Sequence, residues 1–426
     1  MLNRSIGIFF VVVPLYIIGQ SNKDDATLSV LSYARSLTST LCSPSYEGRG
    51  YVNHGCRKAG AFIVDEFKSN GLLPFQGSYE QAFNLNANSF PGQCHVKLGC
   101  RKMKPGIDYL VHPSSSGFKG GLSLKRMTAA QILNYRFGLA HSKVAIAFAP
   151  NKGFSADSLK MVRSKLEKIA QTDCAVVEYT REKLTWSVSQ QQFKFPYISC
   201  FDTLQRHTDR KIKVNIDNAF LTGYEVRNCF GLVPSVKPSD SLIIVSAHYD
   251  HLGRMGKKTY FPGANDNASG VAMLMSLART IQQQPLQNHA VLFIAFAGEE
   301  IGLEGSFAFV ESGILDLKKI TMVLNLDILG SGEDGITVVN GSVFPQFYQR
   351  IVQLNESVPA VPVVKSRGKA ANSDHFPFSE KGVPSLFVYT MGPNKHYHDI
   401  HDRYEHLSFD RFEELHYLFV RFLNRF

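Results

Sequence analysis

Four apolar runs in the second half of the chain, at residues 242–247, 290–297, 321–326 and 385–389, each lead into side chains that can hold a metal ion. The first ends at His248, the second at the pair Glu299-Glu300 and the third at Asp327, while the fourth runs on towards His398. Short apolar runs bounded by turn residues read as buried strands. Their alternation with helical stretches from Asn228 onward is the signature of a mostly parallel sheet with helices on both faces. In an open α/β sheet, sites form beyond the carboxyl ends of the strands. The ligand-type residues are therefore expected to meet in one crevice.

Between the first two runs lies Gly263-Ala264-Asn265-Asp266-Asn267-Ala268-Ser269-Gly270, followed by a helical stretch whose apolar residues Val271, Leu274, Met275 and Leu277 face inward. Zinc in a hydrolase takes imidazole and carboxylate ligands with one position left open, and two ions side by side can share a bridging carboxylate. The chain offers His248, Asp266, Glu300, Asp327 and His398 for such a centre. Consecutive side chains on extended backbone point apart, so of Glu299 and Glu300 one can bind metal while the other takes a proton from water, which is general-base work. Asp250, two positions beyond His248, is placed to fix the tautomer of that imidazole through its far ring nitrogen. Each signal alone has a plainer reading. A His after a strand is commonly a surface residue, a Glu-Glu pair a solvated face, and Asp266 a helix cap. What favours a metal site is their joint position at strand ends that are otherwise apolar.

These stretches resemble the co-catalytic zinc exopeptidase family that contains bacterial leucyl aminopeptidases, glutamate carboxypeptidases and glutaminyl cyclases. The resemblance rests on Ala247-His248-Tyr249-Asp250, the 263–270 stretch, Glu299-Glu300, Asn325-Leu326-Asp327 and Tyr397-His398, in that order and spacing. It implies an α/β fold of the phosphorylase/hydrolase-like type: a mixed, mostly parallel sheet with helices on both faces, plus a small inserted α/β domain. It further implies two zinc ions bridged by Asp266, one held also by His248 and Asp327, the other by Glu300 and His398, with Glu299 as general base. The choice of His398 over its neighbours His396 and His401 comes from the resemblance, not from spacing. Asp399 departs from the pattern of relatives, so the surroundings of that ligand are open. Asp374 and His375, in Ser373-Asp374-His375-Phe376-Pro377-Phe378, are expected near the substrate, with His375 either polarising the scissile carbonyl or packing there. The implied activity is terminal peptide-bond hydrolysis through a metal-bound hydroxide, of aminopeptidase type. A single-zinc glutaminyl cyclase and a non-catalytic binding protein on the same scaffold are the rivals. Tyr397 stands where cyclases usually carry Trp, and retention of Glu299 and every ligand position counts against mere binding.

The rest of the chain sets the context. Its 426 residues allow more than one core. The expected division is a signal peptide at 1–21, an N-terminal part of the peptidase domain at 22–104, an inserted protease-associated-like domain at 105–225 and the main peptidase part at 226–426. Arg4, the apolar run 6–19 and the small or polar Gly19-Gln20-Ser21 have the layout of an export signal, with an uncleaved anchor as the alternative. The mature protein is then expected outside the cytoplasm, periplasmic or extracellular, without stable membrane insertion. Export permits disulfides, and Cys94 with Cys100 or Cys42 with Cys56 are local candidates among seven cysteines. The net charge of +10 is scattered, with no basic stripe or aromatic stacking motif, so the expected partner is a peptide and not nucleic acid. The Tyr46–Arg49 loop reads as a tight turn before a helix, with a substrate contact through Arg49 as the sharper idea. Residues 410–426 carry a Phe-rich helical stripe that needs only a core to face. The oligomeric state is not encoded in any of these features.

Overall fold

The computed structural model describes residues 23–138, 141–151, 153–204 and 209–426. The expected export signal at 1–21 lies outside the described residues. Among the described residues no helix is long and apolar enough to cross a membrane.

The main sheet has eight strands: β1 (Glu80–Ser89), β2 (Ala219–Val233), β3 (Leu242–His248), β4 (Ala290–Phe296), β5 (Ile320–Leu326), β6 (Gly335–Val339), β7 (Val364–Ser366) and β8 (Ser385–Met391). They lie in the order β1-β2-β4-β3-β5-β8-β6-β7. The four apolar runs are the four central strands, and β4/β3, β3/β5 and β5/β8 all pair parallel. Antiparallel partners flank them on each side, β1/β2, β2/β4 and β6/β8. Central strands buried on both faces carry near-continuous apolar sequence because every side chain meets a covering layer.

The period of two assigns each residue its layer. Ile243, Val245, Ala247, Val291, Phe293 and Ala295 face one core, which is closed by α1 (Lys23–Leu41), α2 (Gly55–Ser69), α3 (Ser269–Gln283) and, from the end of the chain, Phe412–Leu423. Leu242, Ile244, Leu292, Ile294 and Phe296 face the other, against Phe309 of the helix Glu304–Glu311 and Phe378 of the helix His375–Glu380. The Phe-rich C-terminal stripe does face a core: Phe412, Leu415, Leu418, Phe419 and Phe422 are buried.

A second eight-stranded sheet runs Arg101–Met103, Cys94–Leu98, Lys211–Ile216, Phe118–Arg126, His141–Phe148, Cys174–Thr180, Tyr197–Phe201 and Tyr109–Val111. It starts ahead of the expected position 105, because Cys94–Leu98 pairs antiparallel with Lys211–Ile216. It also ends ahead of 225, since β2 is paired with β1 from Ala219 onward. Ser89 and Ala219 are register partners, so the chain leaves the main sheet and returns to it at one place. One face of the second sheet is covered by the helix Ala156–Thr172 through Leu159, Val162, Leu166 and Ile169. The other packs on Leu252, Met255, Phe261 and Ile400, which come from loops at the carboxyl end of the main sheet. All seven cysteines are free, so neither local pair is joined.

Candidate metal centre

The strands deliver their terminal residues to one place. His248 is the last residue of β3, Glu299 and Glu300 follow β4, and Asp327 directly follows β5. Asp266 arrives from the turn Ala264–Ala268 that leads into α3, with a cis peptide bond to Asn267. His398 comes from the loop after β8. Two imidazoles then stand on the two oxygens of one carboxylate: His248 Nε2 is 3.4 Å from Asp266 Oδ1 and His398 Nε2 is 3.0 Å from Asp266 Oδ2. His248 Nε2 also lies 3.4 Å from Asp327 Oδ1, and His398 Nε2 lies 3.1 Å from Glu300 Oε2. His396 and His401 turn elsewhere, their rings tilted against each other with centroids 5.6 Å apart.

Each of these side chains is held by a partner behind it. Asp402 accepts the backbone N–H of Asn265 at 2.8 Å and of Asp266 at 3.0 Å, which fixes the turn that presents Asp266. Ser373 donates its hydroxyl to Asp327 Oδ2 at 3.1 Å and accepts from Asn325 Nδ2 at 2.8 Å. His251 Nδ1 is 2.6 Å from Glu300 Oε1. Nδ1 of His398 is 2.9 Å from the backbone carbonyl of Trp186. None of His251, Ser373, Asp402 and Trp186 was assigned a role by sequence. The His248-Tyr249-Asp250-His251 spacing is the one local signal, since three positions return a turn to the same side.

Asp250 differs from its expected role. Its carboxylate Oδ1 is 3.8 Å from His248 Nδ1, while its backbone carbonyl is nearer at 3.2 Å. The carboxylate instead accepts the backbone N–H of Glu299 at 3.1 Å, because the chain turns sharply after β3 and brings Asp250 beneath the Glu299 peptide. Asp374 does not reach the expected place near the substrate, and His375 takes the packing alternative. Both are fully buried, neither lines the cavity over the site, and His375 packs on Phe387 at 5.3 Å. They open the short helix His375–Glu380, whose burial against the sheet takes them out of a substrate's reach. Arg49 is fully buried too, and it is a clamp. Its guanidinium donates to the carbonyls of Tyr249, Pro262 and Gly263 at 2.7–2.8 Å, tying the loop after β3 to the turn before α3.

Seven acidic side chains, of Asp250, Asp266, Glu299, Glu300, Asp327, Asp374 and Asp402, surround three imidazoles, of His248, His251 and His398. Among the described residues no Lys or Arg side chain forms an ion pair with any of the seven. Gathered acids in a dry site raise one another unless cations compensate. Burial pushes the Glu299 carboxyl well above the usual range, and the charges of Glu300 and Asp374 push the same way. Burial alone would lower the His398 imidazole, but Glu300 and Asp266 outweigh it and carry it up to about 11. Asp327 Oδ1 is buried without a hydrogen-bond partner. Protons and metal ions compete for such groups, and the donor set of imidazole nitrogens and carboxylate oxygens fits zinc. The ligand atoms of His248, Asp266 and Glu300 lie within 4.8 Å of one another, as do those of His248, Glu299 and Asp327.

Above them opens a cavity of about 210 Å³, walled by Ile328, Phe387, Tyr389 and Tyr397, with Arg367 and Asn372 at its edge. Glu299 reaches this cavity with 13 % of its side chain exposed, against 3 % for Glu300.

Parts of this chain match known proteins. Residues 228–423 match the family model described as Peptidase family M28. Aminopeptidase YwaD of Bacillus subtilis is 27% identical over 222 residues, covering 50% of this chain and 46% of that protein. Leucine aminopeptidase 1 of Metarhizium robertsii is 29% identical over 188 residues, covering 40% of this chain and 48% of that protein. The chain thus spans about half the length of the curated relatives it matches. In three dimensions the similarity is longer. A zinc aminopeptidase from Bacillus subtilis superimposes with a TM-score of 0.69 at 19% identity, covering 92% of this chain and 94% of that one. An aminopeptidase from Aneurinibacillus sp. strain AM-1 gives 0.64 at 19%, covering 92% and 93%. At that identity the likeness is one of fold, and it takes in both sheets.

Proposed function

We propose that this chain, whose residues 228–423 match the family model described as Peptidase family M28, is a zinc-dependent exopeptidase of the aminopeptidase type. The observation that carries the reading is the Asp266 carboxylate with an imidazole on each oxygen. A single-zinc cyclase needs only one of these two poles. In the proposed centre His248 and Asp327 would hold one ion, His398 and Glu300 the other, and Asp266 would contribute to both. When bound, the ions supply Lewis-acid activation of water and of the scissile carbonyl.

The chain's own residues do the rest. Glu299, one peptide away from Glu300 and open to the cavity, takes a proton from the attacking water and returns it to the departing amine. Its backbone N–H is held by Asp250, which fixes where its carboxylate starts from. The aromatic wall of Phe387, Tyr389 and Tyr397 seats an apolar terminal side chain. The surplus of carboxylates favours the cationic end of a peptide, which supports amino-terminal polarity.

The test is a substrate panel on zinc-loaded protein: amino-acid anilides, dipeptides blocked at either end, and a Gln-initiated peptide. Cleavage of anilides and C-blocked dipeptides, with N-blocked ones spared, is expected. Cleavage of N-blocked dipeptides alone would reverse the polarity, and cyclisation of Gln without hydrolysis would replace the reading. Export is part of the proposal and rests on the layout of residues 1–21. Mass spectrometry of native protein should place the mature N-terminus between Gln20 and Lys23.

A further inference from the structure

We infer that the segment 183–186 of the second sheet's unit is the positioning element of His398, so that this unit is a working part of the metal centre and not a spacer or lid. The inference rests on the two-ion reading above. Trp186 and His398 exchange two hydrogen bonds. The Trp186 N–H donates to the His398 carbonyl at 2.9 Å, and the Trp186 carbonyl accepts from His398 Nδ1 at 2.9 Å. The second bond selects the tautomer: a proton kept on Nδ1 leaves Nε2 bare for a metal, on the side where Asp266 and Glu300 wait. The backbone of His398 sits at φ 53°, a left-handed conformation that a non-glycine residue holds only when its surroundings impose it.

Lys183 supplies the rest of that imposition. Its ammonium donates to the carbonyls of Lys395 at 2.8 Å and Tyr397 at 3.1 Å and pairs with Asp399 Oδ2. Asp399, the residue that departs from the family pattern, therefore does not touch the imidazole; it fastens the loop to the second unit. The segment is itself anchored. The Trp186 indole N–H donates to the Val111 carbonyl at 2.7 Å, the ring stacks on Phe261 at 4.6 Å, and Leu184 is buried in the same core. None of the partners of His248 or Asp327 found above comes from this unit.

Stepwise zinc titration against a chelating dye tests the inference without reference to turnover. His398→Ala identifies which of the two binding steps belongs to that pole. Lys183→Met, at an exposed position that folding tolerates, should weaken that step alone by roughly 10–100-fold, the usual cost of a lost outer partner. Trp186→Phe, which keeps a ring on Phe261 but drops the indole bond, should shift the same step in the same direction. Lys183→Arg should restore it. Equal weakening of both steps would make the contact merely structural, and unchanged binding in both variants would remove it altogether; either result overturns the inference. Wild-type protein that takes up fewer than two ions would instead overturn the two-ion reading, and this inference with it.

Discussion

His248 and His398 stand on opposite oxygens of Asp266, yet they reach it by different means. His248 is the last residue of a central strand whose whole length is buried, and Asp327 follows the neighbouring strand. That pole inherits its geometry from a parallel sheet, and Ser373 and Asn325 secure it from within the same unit. His398 sits in a loop beyond β8 with a left-handed backbone, and its geometry is imposed by Trp186 and Lys183 from the second unit. One pole is built by strand position and the other by docking. The difference separates what metal binding should tolerate at each.

The largest expected effect ignores the difference. Asp266→Ala removes the carboxylate both poles share, so elemental analysis should find neither ion and hydrolysis should vanish. A full metal complement in that variant would mean the poles are independent and Asp266 does not bridge. Glu299→Gln comes next. It should keep both ions and lose roughly 10²–10⁴-fold in rate, whereas Glu300→Gln should lose the His398-side ion first and activity as a consequence. Wild-type turnover by metal-replete Glu299→Gln would remove the base assignment.

A finer cut sharpens the contrast between the poles. Ser373→Ala frees Asp327 Oδ2 and should weaken only the His248-side ion, by roughly 10–100-fold, the mirror image of the effect of Lys183→Met. Titration curves in which Ser373→Ala moves the same step as His398→Ala would show that the poles are not separately built.

How far the sequence alone reached follows the same division. His248, Glu299-Glu300 and Asp327 were readable because each terminates an apolar run, and a run that becomes a strand places its last side chain at the sheet's edge. The core stripes of α3 and of Phe412–Leu423 were readable from helical spacing. His398 was not separable from His396 and His401 by spacing, because a loop has no period and tertiary contacts chose among the three. Trp186 was out of reach in principle: its partner lies 212 positions away, and it contributes a backbone carbonyl that any residue type carries. The second sheet's start at Cys94 did carry a signal, since Cys94, Val96 and Leu98 alternate with His95 and Lys97. Asp374 and His375 were expected near the substrate only because their stretch resembles the family's, and the short helix they open buries them.

The smallest effect on the site comes from the frame beneath both poles. His416 packs on α3 with Nε2 3.1 Å from Thr280 Oγ1, and burial pulls its imidazole down to about 4. Its unfolded value is near 6.5, so the unfolded chain takes up the proton first as pH falls. Stability associated with His416 is intact above about pH 6.5 and is lost progressively towards pH 4. Between pH 7 and pH 5 the wild type should lose about 2 kcal/mol more than His416→Gln in denaturant unfolding, with zinc affinity at pH 7 alike in the two proteins. Equal losses would place the acid sensitivity elsewhere.

Anomalous diffraction at the zinc edge, from crystals of zinc-loaded wild-type protein, bears most directly on the shared carboxylate. The account predicts two peaks flanking Asp266, one among His248 and Asp327 and the other among His398 and Glu300. A single peak, or two peaks with Asp266 touching only one of them, would contradict it.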